Sequence, residues 1–211
     1  MNIKLFVFNT FRVNCYLCYR PAGEAVIIDP ACCDEEERQM LVDFIRKNGL
    51  KLVRNINTHC HIDHVLGNGF IEKSFGIRPE YHPDGDHFFT SAKEIGLSFG
   101  YHVDDFPKPG GYLHDGDIIR FDGSELKVLE TPGHAAGSIS LYSGPDSLVF
   151  TGDVLFRDTV GRADLPSGDF DQLMQSIHGK LLSLPEETTV WPGHGPETTI
   201  GYEILNNPFI R

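Results

Sequence analysis

The stretch His59-Cys60-His61-Ile62-Asp63-His64 puts four metal-binding side chains into six residues. One ion cannot readily take all four. In an extended or looped backbone alternate side chains point the same way, so His59 and His61 can converge on one ion while Asp63 and His64 turn toward a second. The spacing therefore suggests a two-metal site. Imidazole with carboxylate suits zinc, iron, manganese or nickel, and without a thiolate-rich set the donors point to hydrolysis rather than to a purely structural site. The same alternation aims Cys60 away from the ion its neighbours share and makes it a packing residue.

Residues 52–57, just before the cluster, read as a strand, which sets the ligands on a loop at a strand's C-terminal end, where α/β folds often place chemistry. Upstream, segments 3–8, 14–19 and 24–28 read as short strands that should pair as an antiparallel meander. A helix follows, capped by Asp34 with Glu37 at the box position, with Met40, Leu41, Phe44 and Ile45 facing the core and Gly49 at its stop. Downstream, 64–75 and 87–99 read as helices, 101–111 as a Pro/Gly-rich connector, and 117–121, 125–130, 138–142 and 148–150 as strands. Asp169 and Gln172 open another helix whose stripe, Phe170, Leu173, Met174, Ile177 and Leu181, reads as core. A last strand at 188–191 and a helix from about Thr198, ending before Asn206-Asn207-Pro208, complete the chain. Strands followed by helices in each half suit two sheets between helix layers.

Three later places set a ligand-type residue beside glycine after a strand: Thr131-Pro132-Gly133-His134, Thr151-Gly152-Asp153 and Pro192-Gly193-His194-Gly195. Glycine lets the backbone turn tightly and approach a metal with no Cβ in the way. His134 can complete a three-histidine set with His59 and His61, His194 can join Asp63 and His64, and Asp153 is the carboxylate left to bridge the two ions. The other histidines, His82, His87, His102, His114 and His178, read as ordinary surface or core residues. Asp29, in Ile28-Asp29-Pro30, reads as a buried hydrogen-bond acceptor supporting the metal loops. Arg162 reads either as a structural ion pair or as an anion contact for substrate.

With these residues in place the chain resembles the metallo-β-lactamase-fold hydrolases, whose pattern is H-x-H-x-D-H followed by single His, Asp and His at long intervals. The resemblance runs over essentially the whole chain. Gly152-Asp153-Val154-Leu155-Phe156, Gly161-Arg162-Ala163-Asp164 and the run from Pro192 to Ile200 are most similar to the glyoxalase II group of thiolester hydrolases, particularly its short bacterial members. The resemblance implies an α/β fold built as a four-layer αββα sandwich. It also implies a dinuclear site with His59, His61 and His134 on the first metal, Asp63, His64 and His194 on the second, and Asp153 between them. Two divalent ions are implied as cofactors, zinc first and iron or manganese as alternatives, with a small-molecule thiolester such as S-D-lactoylglutathione as substrate. Longer members grip glutathione with a helical region after the last metal histidine, whereas 17 residues follow His194 here, so a weaker hold on the thiol carrier is expected.

Hydroxide held by the metals and aligned by Asp63 would attack the thiolester carbonyl. No side-chain nucleophile is needed, in keeping with the lack of a G-x-S-x-G signature. Three rivals share the motifs. A persulfide dioxygenase would hold one iron through His59, His134 and Asp153, a lactonase would use the same ligands on an acyl-chain substrate, and a non-catalytic metal-binding protein would load metal without turnover. Asp153 as a bridging acid sets the chain apart from dinuclear β-lactamases.

The bulk properties bound the rest. A chain of 211 residues suits one well-cored domain over 1–211. The net charge of -12 disfavours a nucleic-acid partner, which would need a basic surface. No apolar run approaches the ~20 residues of a membrane span. Residues 1–8 alternate like a strand and meet Arg12 before any small-residue cleavage site, which does not read as a signal peptide, and a cytoplasmic address is expected. The five cysteines, at 15, 18, 32, 33 and 60, are an odd count and point to reduced thiols. Cys15 and Cys18 form a C-x-x-C inside a strand-like run and read as packing. No sequence feature sets an oligomeric state.

Overall fold

The computed structural model describes residues 1–101, 103 and 106–210, so the reading of His102 lies outside the described residues. The chain opens with strands β1 (Asn2–Phe8), β2 (Val13–Tyr19) and β3 (Glu24–Ile28), paired antiparallel in the expected meander. Helix α1 (Glu35–Lys47) follows, and the Asp34 carboxylate accepts from the Glu37 backbone N–H at 2.9 Å. The Glu37 side chain does not close the expected box. Its carboxylate accepts instead from the Asn9 and Cys33 backbone N–H groups, tying the helix start to the loop after β1. Leu41 and Ile45 are buried as expected, whereas Met40 faces solvent.

Strand β4 (Lys51–Ile56) runs parallel to β3 and delivers the chain to the metal cluster. The helix expected over 64–75 is two helices, α2 (Ile62–Val65) and α3 (Asn68–Phe75). Gly67 marks the break because its backbone packs against the loop after β3. Its N–H donates to Pro30 O at 2.7 Å, and a Cβ there would lie 2.4 Å from that oxygen. The helix expected over 87–99 also divides, into a 3₁₀ segment (Pro83–Thr90) and α4 (Ala92–Ser98), because the chain turns at Ser91. Strands β5 (Pro79–Tyr81) and β6 (Gly111–Tyr112) extend the first sheet in parallel, giving the order β1-β2-β3-β4-β5-β6.

The second half supplies β7 (Ile118–Phe121), β8 (Ser124–Glu130), β9 (Ile139–Ser143) and β10 (Leu148–Gly152), close to the expected bounds. A small hairpin, β11 (Leu155–Phe156) and β12 (Thr159–Val160), precedes α5 (Phe170–Ser176), which runs on into a π-helical turn (Ile177–Leu181). Strands β13 (Thr189–Pro192) and β14 (Thr198–Thr199) and helix α6 (Ile200–Asn206) close the chain. The second sheet has the order β14-β13-β10-β9-β8-β7, antiparallel except for the β10–β13 pair. Of the expected stripe on α5, Leu173, Ile177 and Leu181 are fully buried and Met174 packs against them, but Phe170 lies half-exposed. Phe170 is the first residue of the helix, where the chain enters from solvent.

Strand alternation separates the layers. Cys15, Leu17, Ala25 and Ile27 pack with Leu41, Ile45 and Ile71 under the first helix layer. Tyr16, Cys18, Val26 and Ile28 turn the other way, against Phe121, Val128, Leu141 and Phe150 of the second sheet. Val149 and Val190 then face Leu173, Leu181 and Ile200 of the outer helices. This is the four-layer αββα sandwich. Cys15 and Cys18 fall in different layers, which rules them out as a dithiol pair, and all five cysteines are free thiols. No helix among the described residues is long and apolar enough to cross a membrane.

Candidate metal centre

Four chain segments bring the seven expected residues together at one end of the sandwich, at the C-terminal ends of β4, β8, β10 and β13. His59 lies on the loop after β4, and His61 caps α2 in extended conformation. Asp63 and His64 stand on the single turn of α2, so helical geometry, rather than strand alternation, separates them from the first two histidines. His134 comes from the loop between β8 and β9, Asp153 follows β10, and His194 follows β13.

Four of the five histidines are held by a partner that fixes the tautomer. His64 Nδ1 donates to Asp29 Oδ2 at 3.0 Å, His134 Nδ1 to Arg162 O at 2.8 Å and His194 Nδ1 to Phe11 O at 3.0 Å. The Thr58 hydroxyl spends its proton on Asp29 Oδ2 at 2.7 Å, so it can only accept from His59 Nδ1 at 3.2 Å. In all four rings Nε2 is left to face the cluster.

Asp29 thus performs the supporting role read from the sequence. It is buried, its φ is 51°, and it also accepts from Thr58 N at 2.7 Å. Sequence reading missed Asn14 and Tyr16. Asn14 Nδ2 donates to Pro192 O at 2.9 Å and Gly195 O at 2.8 Å, and the Tyr16 hydroxyl donates to Pro192 O at 2.6 Å, clamping the His194 loop against β2. The signal was available: asparagine is disfavoured in strands, and a buried one inside a strand needs a reason.

Donor atoms of His59, His61 and His134 lie within 4.8 Å of one another, as do those of Asp63, His64 and His194, and those of His59, His64 and Asp153. Asp153 stands between the triads, with Oδ1 3.5 Å from His64 Nε2 and Oδ2 3.7 Å from His134 Nε2 and 3.5 Å from His194 Nε2. The atoms present fit a divalent ion. His59 Nε2 and Asp153 Oδ1 are buried and make no hydrogen bond. Ring nitrogens also converge in pairs, His134 Nε2 and His61 Nδ1 at 2.9 Å, His64 Nε2 and His194 Nε2 at 3.3 Å, a spacing at which one ion can take both as ligands.

Electrostatics divide the two triads. Burial holds His59 well below the usual imidazole range and lowers His134, and burial together with His134 brings His61 down to about 4. Burial also disfavours charge on His64 and His194. There, however, Asp153 and Asp63 outweigh it, lifting His64 well above its ordinary value and His194 to about 9. Asp63 and Asp153 are buried too, yet His64 and His194 hold both below the usual carboxylate range. At neutral pH the three-histidine triad therefore presents bare nitrogens, while the other triad must shed protons to take an ion. Affinity there should rise with pH up to about 9, and affinity at the three-histidine triad should change little across neutrality. Calorimetric zinc titration of stripped protein in buffers of different ionisation heat would count the protons. Equal proton release for the first and second ions would refute this ordering.

Gly193 meets the cluster most closely. A Cβ there would lie 2.1 Å from Asp153 Oδ1 and 2.8 Å from His64 Cε1, and the backbone cannot retreat because Gly193 N donates to Gly152 O at 2.7 Å and Gly193 O accepts from Asn14 N at 2.7 Å. Gly193→Ala should weaken binding of the second ion by about 10- to 100-fold, as loss of a ligand-orienting contact does. Far-ultraviolet circular dichroism should stay unchanged. Metal titration of this variant that matched the parent would show that the loop has slack.

Cys60 points away from the cluster and packs with Val65 and Tyr81, its Sγ 2.6 Å from where a Cβ on Gly85 would lie. His82 caps the 3₁₀ segment: Nδ1 accepts from Asp84 N, which leaves the ring proton on Nε2 to donate to Glu130 at 3.2 Å. His87, His114 and His178 are exposed. The Arg162 guanidinium pairs with both Asp164 oxygens, at 2.7 and 2.8 Å, at the mouth of the cleft above the cluster, so the ion pair read from the sequence is present.

A family model described as the metallo-beta-lactamase superfamily matches residues 9–194, which takes in every residue of both triads. The chain belongs to the metallo-β-lactamase superfamily. It is a metallo-hydrolase of that superfamily and has its fold. Hydroxyacylglutathione hydrolase GloC of Haemophilus influenzae is 35% identical, covering 100% of this chain and 99% of that protein. Among solved structures, the BLEG-1 B3 metallo-beta-lactamase superposes with a TM-score of 0.87 at 31% identity, covering 99% of each chain. TTHA1623, in a di-iron-bound form, superposes with a TM-score of 0.86 at 35% identity, covering 98% of this chain and 99% of its own.

Proposed function

We propose that this protein is a dinuclear thiolester hydrolase of the glyoxalase II type, acting on substrates such as S-D-lactoylglutathione. The observation that carries the reading is the pair of donor triads with Asp153 between them, in a chain similar from end to end to a hydroxyacylglutathione hydrolase. His59, His61 and His134 would hold the first ion, Asp63, His64 and His194 the second, and Asp153 both. Zinc suits the imidazole-rich set, and iron and manganese are compatible with the same donors. Five free thiols suit a reducing compartment, in keeping with a cytoplasmic address.

Divalent ions held by these residues would supply hydroxide at neutral pH and polarise a carbonyl oxygen. The chain's own groups do the rest. Asp63 is held ionised by His64 and His194, with Oδ2 3.4 Å from His194 Nε2, and its carboxylate can accept a hydrogen bond from the attacking water and orient it toward the carbonyl carbon. Collapse of the tetrahedral adduct breaks the C–S bond and releases the thiolate and a carboxylic acid. Asp29, Thr58, Asn14 and Tyr16 keep the imidazoles from turning during this cycle.

Protein loaded with zinc, iron or manganese should hydrolyse a panel of thiolesters, followed by thiol release. The same preparations would be assayed with a lactone, with a β-lactam, and with glutathione persulfide while oxygen uptake is recorded. Metal stoichiometry near two with thiolester turnover supports the proposal. One iron per chain with oxygen consumption, turnover of lactone or lactam alone, or a metal-loaded but inert protein would each replace it.

A further inference from the structure

The cleft above the triads is a cavity of about 610 Å³ with the donor cluster as its floor, since His61, Asp63, His134, Asp153 and His194 line it. Its walls are of another character. Phe11, Ile62, Phe88, Ile95, Phe99 and Leu165 supply most of their side-chain surface, from the loop after β1, α2, the 3₁₀ segment, α4 and the residue after it, and the loop before α5, with His87, Ser91 and Ser98 as polar side chains among them. Phe88 stacks edge-on against the His61 ring with centroids 5.0 Å apart, so apolar surface begins at the donors themselves. Phe99 meets Phe11 edge-on at 5.0 Å across the mouth. Ile95 is 40% and Phe99 55% exposed, an open apolar rim of the kind that marks a binding site rather than a core.

Positive charge is scarce in the same walls. Arg162 is the only lysine or arginine among the described residues lining the cavity, and its Nε and Nη2 already serve Asp164. Glutathione carries two carboxylates, and a site built around that carrier calls for cations to receive them. An apolar chain needs only the walls that are present.

On the thiolester reading proposed above, we infer that the favoured substrate carries an apolar acyl chain, which lies along Phe88, Ile62, Ile95 and Phe99 while its carbonyl reaches the donor cluster. Lactoyl, short and hydroxylated, would leave those walls uncovered. Chain length then acts through area removed from water, and each methylene buried against the walls should raise kcat/KM by about two- to four-fold until the cavity is full.

The test is a series of acyl thiolesters from acetyl to octanoyl on one small uncharged thiol, N-acetylcysteamine, beside S-D-lactoylglutathione, all with the zinc-loaded protein. The kcat/KM should climb from acetyl to hexanoyl by at least about 10-fold, and hexanoyl should exceed lactoylglutathione. Ile95→Asp should flatten the climb while zinc content stays at the parent value, which locates the effect in the wall rather than in the metal centre. A flat or falling series, or a preference for lactoylglutathione, overturns the apolar-chain inference and leaves thiolester hydrolysis standing. An unchanged climb in Ile95→Asp overturns the assigned wall. Lack of turnover across the series and lactoylglutathione removes the thiolester reading itself.

Discussion

Asp153→Asn is expected to lower kcat by at least about 100-fold and to halve the metal content, with the fold intact. The carboxylate is buried, its Oδ2 faces His134 of one triad and His194 of the other, and its Oδ1 lies beside His64 with no hydrogen bond of its own. Asparagine keeps the shape but removes the negative charge and replaces one ligating oxygen with an NH₂ group that cannot bind an ion. Loss of an outer partner in metal sites commonly costs 10–100-fold, and a group placed between two ions should exceed that range. A second readout is independent of turnover. Asp153 is one of the carboxylates that lift His194 to about 9, so in stripped Asp153→Asn protein that imidazole should titrate lower, as followed by proton NMR. Retention of two ions and near-parental kcat would reassign Asp153 as a peripheral acid and remove the shared ligand from the mechanism.

Most of the architecture was legible because its signals are local. The strands of the meander are short apolar runs bounded by turn residues, the caps at Asp34 and Asp169 accept the predicted backbone N–H groups, and His134, Asp153 and His194 follow strands at glycine-marked turns. What escaped depends on contacts between distant segments. Strands of two or three residues such as β5, β6, β11, β12 and β14 are too short to carry a period, and pairing with neighbours is what makes them strands. Gly67 looks compatible with one long helix until Pro30 O is placed against its backbone. Glu37 suits a capping box locally, yet the loop after β1 offers its carboxylate other donors. The seven donors could be found by residue type and spacing, whereas of the residues that aim them only Asn14 carries a sequence signal, a polar residue inside a strand, and Thr58 and Tyr16 reveal their role only through hydrogen bonds to backbone and imidazole.

Asp29→Asn tests that aiming layer directly, and its effect should approach that of removing a ligand. In the parent, Asp29 Oδ1 accepts from Thr58 N and Oδ2 accepts from both Thr58 Oγ1 and His64 Nδ1. An asparagine cannot meet this pattern in either orientation. With its oxygen on Thr58 N, its NH₂ points donors at the other two positions, so His64 must take the opposite tautomer with the proton on Nε2, the atom that faces the cluster. The reversed amide sets N–H against the Thr58 N–H. Each hydrogen bond to a buried charged group is worth about 1.5–3 kcal/mol, so stripped protein should also unfold at measurably lower urea. Affinity for the second ion should drop by about 10- to 100-fold. The first triad should lose less, because only His59 is tied to Asp29, through the Thr58 hydroxyl, while His134 is held by Arg162 O and the His61 ring packs edge-on against Phe88. The decisive comparison is therefore between the two ions in one titration. Equal weakening of both would mean that Asp29 merely stabilises the loop, and unchanged binding of the second ion would mean that the tautomer of His64 is set by something other than this carboxylate.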